Sequence, residues 1–135
     1  MYMLDTSICI PLLRGTAPAL LQRMRQVPPD DVTISSITFA ELQYGVARSA
    51  RPAVQRDLLM RFCAPLAILP FDGAAAEAYG HVRAMLGRAG TPIGPLDTLI
   101  ASHARSLGMT VITNNEREFR RVPGLLVENW ASADQ

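Results

Sequence analysis

Tyr2-Met3-Leu4-Asp5-Thr6-Ser7 is a short apolar run that ends on a carboxylate. Residues 2–4 read as a brief buried strand, and the next apolar positions, Ile8, Ile10, Leu12 and Leu13, suit the start of a helix. Asp5 therefore stands where a strand passes into a helix. In an open parallel α/β sheet that is the edge where sites form, outside the carboxyl ends of the strands. Two later acids, Glu41 and Asp97, are placed by their own surroundings to reach the same edge.

Beyond the first strand (2–5), residues 7–14 and 17–26 read as helices, the second with Leu20, Leu21 and Met24 on one side. Pro28-Pro29-Asp30-Asp31 is a turn and Val32-Thr33-Ile34 a second strand. Ser35-Ser36-Ile37-Thr38 then leads into a helical pattern that carries Glu41. Residues 53–63 form another helix, ended by Pro65, and Leu66-Ala67-Ile68-Leu69 a third strand. Asp72 caps an Ala-rich helix that runs to Gly87 or Gly90. The helix 95–107 opens on Pro95, sets Leu96, Leu99, Ile100, His103 and Leu107 on one stripe, and stops at Gly108. Met109 to Thr113 is a fourth strand, Asn114 to Glu118 a polar turn, and Leu125-Leu126-Val127 a fifth strand before Trp130. Strands alternate with helices throughout, which predicts an α/β fold with four to five short strands in a mainly parallel sheet.

With 135 residues, 49% of them apolar and 19% charged, the chain is expected to form one packed domain over 1–135. No apolar run reaches the length of a membrane span, so a soluble, cytoplasmic protein is expected. Cys9 and Cys63 lie among apolar residues and lack zinc-ligand spacing, so both read as buried free thiols. The net charge of +1 favours no class of partner. All 13 basic residues are Arg, whose planar fork suits phosphate, although genome base composition produces the same bias. The absence of Lys excludes mechanisms that need a catalytic amine.

Each acid also has an ordinary explanation. Asp5 is a good helix cap. Thr38-x-x-Glu41 fits a capping box; a helix that starts at Ser36 instead leaves Glu41 on the second turn, free to point along the sheet edge. Asp97 suits the dipole of its helix's first turn. Thr113-Asn114-Asn115 reads locally as an Asn-rich turn after a strand. Together, however, three acids and a hydroxyl–amide turn, each following a strand or starting a helix, would converge on one edge. Carboxylates packed together stay ionised only with a cation among them, and oxygen ligands without Cys or His select Mg²⁺ or Mn²⁺. Such an ion keeps waters and binds phosphate, which points to phosphodiester hydrolysis.

Four segments carry a resemblance: Met3-Leu4-Asp5-Thr6-Ser7, Ser36 to Glu41-Leu42, Ile93-Gly94-Pro95-Leu96-Asp97-Thr98-Leu99-Ile100-Ala101-x-His103-Ala104, and Thr113-Asn114-Asn115-x-Arg117-Glu118-Phe119. In this order and spacing they resemble the PIN-domain ribonucleases, and among them the VapC toxins of bacterial toxin–antitoxin pairs. The resemblance implies a PIN-like three-layer sandwich and a metal-dependent endoribonuclease that uses Mg²⁺ or Mn²⁺. It implies that Asp5, Glu41 and Asp97 are metal ligands, directly or through water, oriented by Thr6 or Ser7 and by Thr113. It further implies a homodimer, a small VapB-like antitoxin as partner, and structured RNA, often tRNA, as substrate. Hydrolysis by an activated water would leave a 5′-phosphate and a 3′-hydroxyl.

Two positions depart from the family pattern. Ser7 stands where Asn is frequent, and Asn115 stands where many relatives carry a fourth acid. Asn115 could hold a metal-bound water, or Glu118 could supply the missing charge, so one tightly held ion and a weak second are expected. His103 and His81 read as structural. Arg48 and Arg117 are candidates for substrate phosphate, although a solvated surface Arg is the ordinary reading of either. A receiver-like phosphoacceptor needs a Lys this chain lacks, and a haloacid-dehalogenase-like phosphatase needs an Asp where Ser7 stands. Two alternatives stay open: a catalytically weak PIN fold that binds RNA or protein, and a PIN nuclease of RNA maturation without an antitoxin.

Overall fold

The chain alternates strand and helix in a computed structural model that describes residues 1–131. Strand β1 (Tyr2–Leu4) leads into α1 (Thr6–Arg14) and α2 (Pro18–Arg25). A single 3₁₀ turn (Pro29–Asp31) precedes β2 (Val32–Ser35), followed by α3 (Ser36–Ala47) and α4 (Pro52–Cys63). Then come β3 (Ala67–Leu69), α5 (Gly73–Ala89), α6 (Pro95–Leu107) and β4 (Thr110–Ile112). A short helix α7 (Glu116–Phe119) and β5 (Leu126–Glu128) complete the order.

The five strands form one sheet in the order β3-β2-β1-β4-β5, and all four neighbouring pairs are parallel. The chain builds outward from β1 through β2 to β3, then returns to the other side of β1 to place β4 and β5. The order therefore reverses between β1 and β4, where Leu4 lies level with Ile112. At such a reversal the connections leave in opposite directions and open a crevice at the carboxyl ends of the two strands. Asp5 and Thr113 are the residues immediately after those ends.

Both faces of the three central strands are covered, as their apolar residues require, while the edge strands β3 and β5 are partly exposed. Leu4, Ile34 and Ile112 face Ile8, Cys9, Leu20, Leu42 and Leu59 from α1 to α4. Met3 and Val111 point the other way, into Val82, Leu86, Ile100, Ala104 and Phe119 from α5, α6 and α7. Each fully buried Val, Leu, Ile, Phe or Met side chain among these contributes about 1.5–3 kcal/mol relative to exposure. Gly90 and Gly108 end α5 and α6 in the left-handed region, at φ 71° and 66°. Cys9 and Cys63 are buried and free, as read from their surroundings.

Several local readings are corrected. β1 ends at Leu4: the Asp5 amide still donates to the Ile112 carbonyl at 3.0 Å, but its carboxylate already caps α1. The segment read as a plain polar turn contains α7, which the burial of Phe119 anchors. On α6 only the middle of the expected stripe is buried: Leu96 and Leu107, at its two ends, are 44% and 47% exposed, while residues 100–104 are buried. Leu21 is exposed although Leu20, its neighbour on α2, is buried. Among the described residues no helix is long and apolar enough to cross a membrane.

Candidate active site

Asp5 is 1% exposed and is the N-cap of α1, its Oδ1 accepting from the Ile8 amide at 3.2 Å. Two hydroxyls complete its shell: Ser7 Oγ donates to Oδ1 at 2.7 Å and Thr113 Oγ1 donates to Oδ2 at 2.7 Å. The direction of both bonds is set from behind. The Asn114 amide donates to Ser7 Oγ at 3.1 Å and the Asn115 amide to Thr113 Oγ1 at 2.7 Å. A hydroxyl that accepts from an amide turns its one proton elsewhere, here to Asp5. The β4–α7 turn thus aims both hydroxyl protons at Asp5, which favours its ionised form. Burial pushes the Asp5 pKa above its ordinary value, and the bonds from Thr113, Ser7 and Ile8 pull it back. Oδ1 takes two of these bonds and Oδ2 one, so the remaining acceptor capacity lies on Oδ2.

Pro11 has a part in this arrangement. A proline inside α1 has no N–H to give to the Ser7 carbonyl one turn back. Asn114 Nδ2 donates to that carbonyl instead, at 3.4 Å. The Asn-rich turn is therefore docked on α1 through backbone as well as side chain. The proline, visible in the sequence, was the signal for this contact.

Glu41 lies on the second turn of α3, because Ser35 rather than Thr38 is the N-cap: Ser35 Oγ accepts from the Ile37 amide at 3.1 Å. The capping-box explanation is thereby removed. Thr6 Oγ1 donates to Glu41 Oε1 at 2.6 Å, and this bond ties α3 to α1. Asp97 sits in the first turn of α6, and its Oδ2 accepts from Asn115 Nδ2 at 3.1 Å. The other hydrogen of the same amide goes to Glu118 Oε2 at 2.9 Å, so Asn115 bridges two carboxylates. Burial first, and then the negative charge of Asp5, raise the Asp97 pKa to about 6; Glu118 adds to the rise and the Asn115 bond opposes it.

The structure therefore assembles Asp5, Asp97, Asn115 and Glu118 on one side and Thr6 with Glu41 on the other. Among the described residues no three His, Cys, Asp or Glu side chains stand close enough to ring a metal ion. None of these four acids has a salt bridge among the described residues, where the ion pairs are Arg23–Glu128, Arg61–Asp57 and Arg120–Glu116. Uncompensated carboxylates at a crevice, one of them completely buried, fit a divalent cation held by oxygen atoms and water. Arg48, the C-cap of α3, stacks over Tyr44 at 5.5 Å and lines a groove of about 680 Å³ together with Glu41, Thr6 and Arg14. Arg117 is exposed on α7, and His81 is exposed on α5. His103 is buried and bonded to Ser35.

Residues 2–125 match the PIN domain family. The chain belongs to that family. This PIN domain is 42% identical over 130 residues to a protein of Shigella flexneri named tRNA(fMet)-specific endonuclease VapC, spanning 96% of this chain and 98% of that protein. It is 38% identical to Ribonuclease VapC2 of Rickettsia felis, over 96% of this chain and 97% of that one. The crystal structure of VapBC2 from Rickettsia felis bound to a promoter DNA fragment superposes with a TM-score of 0.91, at 38% identity, over 96% of this chain and 98% of that one. DNA-bound VapBC from Salmonella typhimurium gives 0.89 at 40% identity, over 96% and 97%. Full-length similarity of this extent places the PIN domain on the VapC branch.

Proposed function

We propose that this chain is a metal-dependent endoribonuclease toxin of the VapC kind. Its substrate is structured RNA, with tRNA favoured by the relatives named for it, and a small VapB-like antitoxin neutralises it. The observation that carries the reading is the relay at Asp5. Two backbone amides orient two hydroxyls toward a buried carboxylate beside Asp97, and among the described residues no cationic side chain pairs with either acid. Capping α1 needs one oxygen of Asp5 and one amide, whereas two further oriented donors and an adjacent acid suit a metal ligand.

Asp5 and Asp97 would hold Mg²⁺ or Mn²⁺, with Glu41 reached through water. The bound ion supplies charge neutralisation at the phosphoryl group and lowers the pKa of water. The chain's own residues do the rest. Thr6 keeps the Glu41 carboxylate at the mouth of the groove, and Asn115 holds Asp97 and Glu118 apart while donating to both. The products would carry 5′-phosphates, since no paired general bases are placed to activate a ribose hydroxyl: there is no Lys, His81 is exposed on α5, and His103 is occupied by Ser35. The groove walled by Ile10, Leu13, Tyr44, Arg14 and Arg48 suits an amphipathic antitoxin segment that covers Glu41. A homodimer and a cytoplasmic location belong to the same reading.

The test is to incubate the purified, antitoxin-free protein with total cellular RNA in Mg²⁺ or Mn²⁺ and to sequence the new 5′ ends. Discrete cuts bearing 5′-phosphates, lost on chelation and in Asp97→Asn, are expected. A folded protein that makes no cuts in either metal would instead support a binding module, a reading that Asn115 at the acidic position favours. Sedimentation of the same sample reads the oligomeric state.

A further inference from the structure

His103 lies six residues beyond Asp97 on α6, about 9 Å further along the helix axis. It is 2% exposed, and its Nδ1 stands 2.8 Å from Ser35 Oγ. Ser35 is the last residue of β2 and the N-cap of α3. Its Oγ already accepts from the Ile37 amide, so its proton needs an acceptor, and among the described residues His103 Nδ1 is the one in reach. That network assigns the neutral imidazole with its own proton on Nε2. The Phe71 ring packs edge-on against His103, 5.4 Å between centroids, while the Phe71 amide donates to Ser36 Oγ at 3.0 Å.

One imidazole thus joins the middle of α6 to the start of α3. Among the described residues the His103–Ser35 bond is the one side-chain hydrogen bond between the α6 helix and the Ser35–Arg48 segment. Glu41 sits six residues beyond Ser35, and its carboxylate is tied to α1 rather than to α6. Packing alone would be served by a Leu at position 103, as at the neighbouring Ile100. A buried polar pair costs desolvation and offers orientation in return.

We infer that His103 is a positioning residue: its bond to Ser35 locks the start of α3 against α6 and sets the separation of Glu41 from Asp97. This rests on the reading of those two acids as the working pair. An error of about 1 Å in such a separation costs up to about 100-fold in rate.

The experiment compares His103→Asn, His103→Gln and His103→Leu. Asn carries a polar atom at the Nδ1 position, Gln carries one at the Nε2 position, and Leu carries none. Each variant is assayed for RNA cleavage and, by calorimetry, for Mn²⁺ affinity, with the folded fraction taken from circular dichroism. The expected result is a kcat per folded molecule at least about tenfold lower in the Leu and Gln variants. KM for RNA should stay within about twofold of wild type, and Mn²⁺ binding should weaken in parallel with kcat. The Asn variant is expected within about threefold of wild type in both readouts. A purely structural role would lower the melting temperature and leave kcat per folded molecule unchanged, which overturns the inference. Equal behaviour of the Asn and Gln variants overturns it too. If wild type binds Mn²⁺ without cutting RNA, and affinity still falls in Leu but not in Asn, the nuclease reading fails and the positioning role stands. A wild type that neither cuts nor binds overturns both.

Discussion

Replacing Asp97 by Asn should stabilise the metal-free protein while abolishing its activity. Burial and the Asp5 charge lift the Asp97 pKa from 3.8 to about 6. At about 1.4 kcal/mol per unit this sets a ceiling of about 3 kcal/mol of strain in the ionised form. Asp97 is only half-buried, and water screens part of the repulsion, so about 1 kcal/mol is the expected share. A carboxyl whose folded pKa lies above its unfolded value binds its proton more tightly when folded. Its contribution is therefore most favourable at low pH and is lost as pH rises from 3.8 to about 6. The substituted amide would keep an acceptor for Asn115 and add a donor facing the acids. Thermal melts in chelator, from pH 4 to pH 8, should show wild type and variant converging at the acid end. At pH 7.5 the variant should melt higher by about 3–5 °C, the shift about 1 kcal/mol produces in a domain of this size. Excess Mn²⁺ should then raise the wild-type midpoint above the variant's, since only the wild type retains the ligand. A variant less stable than wild type at pH 7.5 in chelator, or a difference independent of pH, would refute the strained-carboxylate reading of the site.

Three further perturbations test separate parts of it. Thr113→Val removes the bond to Asp5 Oδ2 and the acceptor of the Asn115 amide; a loss of about 1.5–3 kcal/mol is expected in denaturant titrations, with cleavage falling further than stability. Thr6→Val frees Glu41 from the Thr6 hydroxyl that ties it to α1. It should cost about 1 kcal/mol or less in stability yet lower kcat at least tenfold in single-turnover assays; unchanged kcat would remove Glu41 from the working set. Asn115→Asp replaces the bridging amide with a further like charge between Asp97 and Glu118. It should lower the melting temperature in chelator and tighten Mn²⁺ binding by calorimetry, and the opposite pair of changes would show that the amide itself serves the metal.

Much of the fold is legible in local pattern. The apolar triplets 2–4 and 110–112 have no strongly polar position to expose, so they read as strands buried on both faces. Pro95 and Gly108 delimit α6 by their backbone preferences, and the structure begins and ends that helix at those residues. The misreadings come from long-range packing. Leu96 and Leu107 look like core residues, but both are exposed at the two ends of α6. The segment 116–119 has too few residues to show helical periodicity, and only Phe119 docking beneath α5 and α6 makes it a turn of helix.

The candidate site divides in the same way. Asp5, Asp97 and the Thr113-Asn114-Asn115 turn stand out in the sequence because each interrupts an apolar pattern at an element boundary, and Glu41 because it follows soon after the hydroxyls that open its helix. Which atoms meet was decided by the strand order. Placing β4 beside β1 brings Thr113 to Asp5 across 108 positions of sequence, and Pro11 leaves a carbonyl for Asn114 to fill. Whether Glu41 caps its helix or faces the crevice depended on Ser35 taking the cap, and Ser35 is held by His103, 68 positions later in the chain. Residue types and element boundaries are set by local chemistry, which the sequence by itself determined. The directions of hydrogen bonds and the separations of charges depend on which strands pair, and the tertiary structure alone decided those.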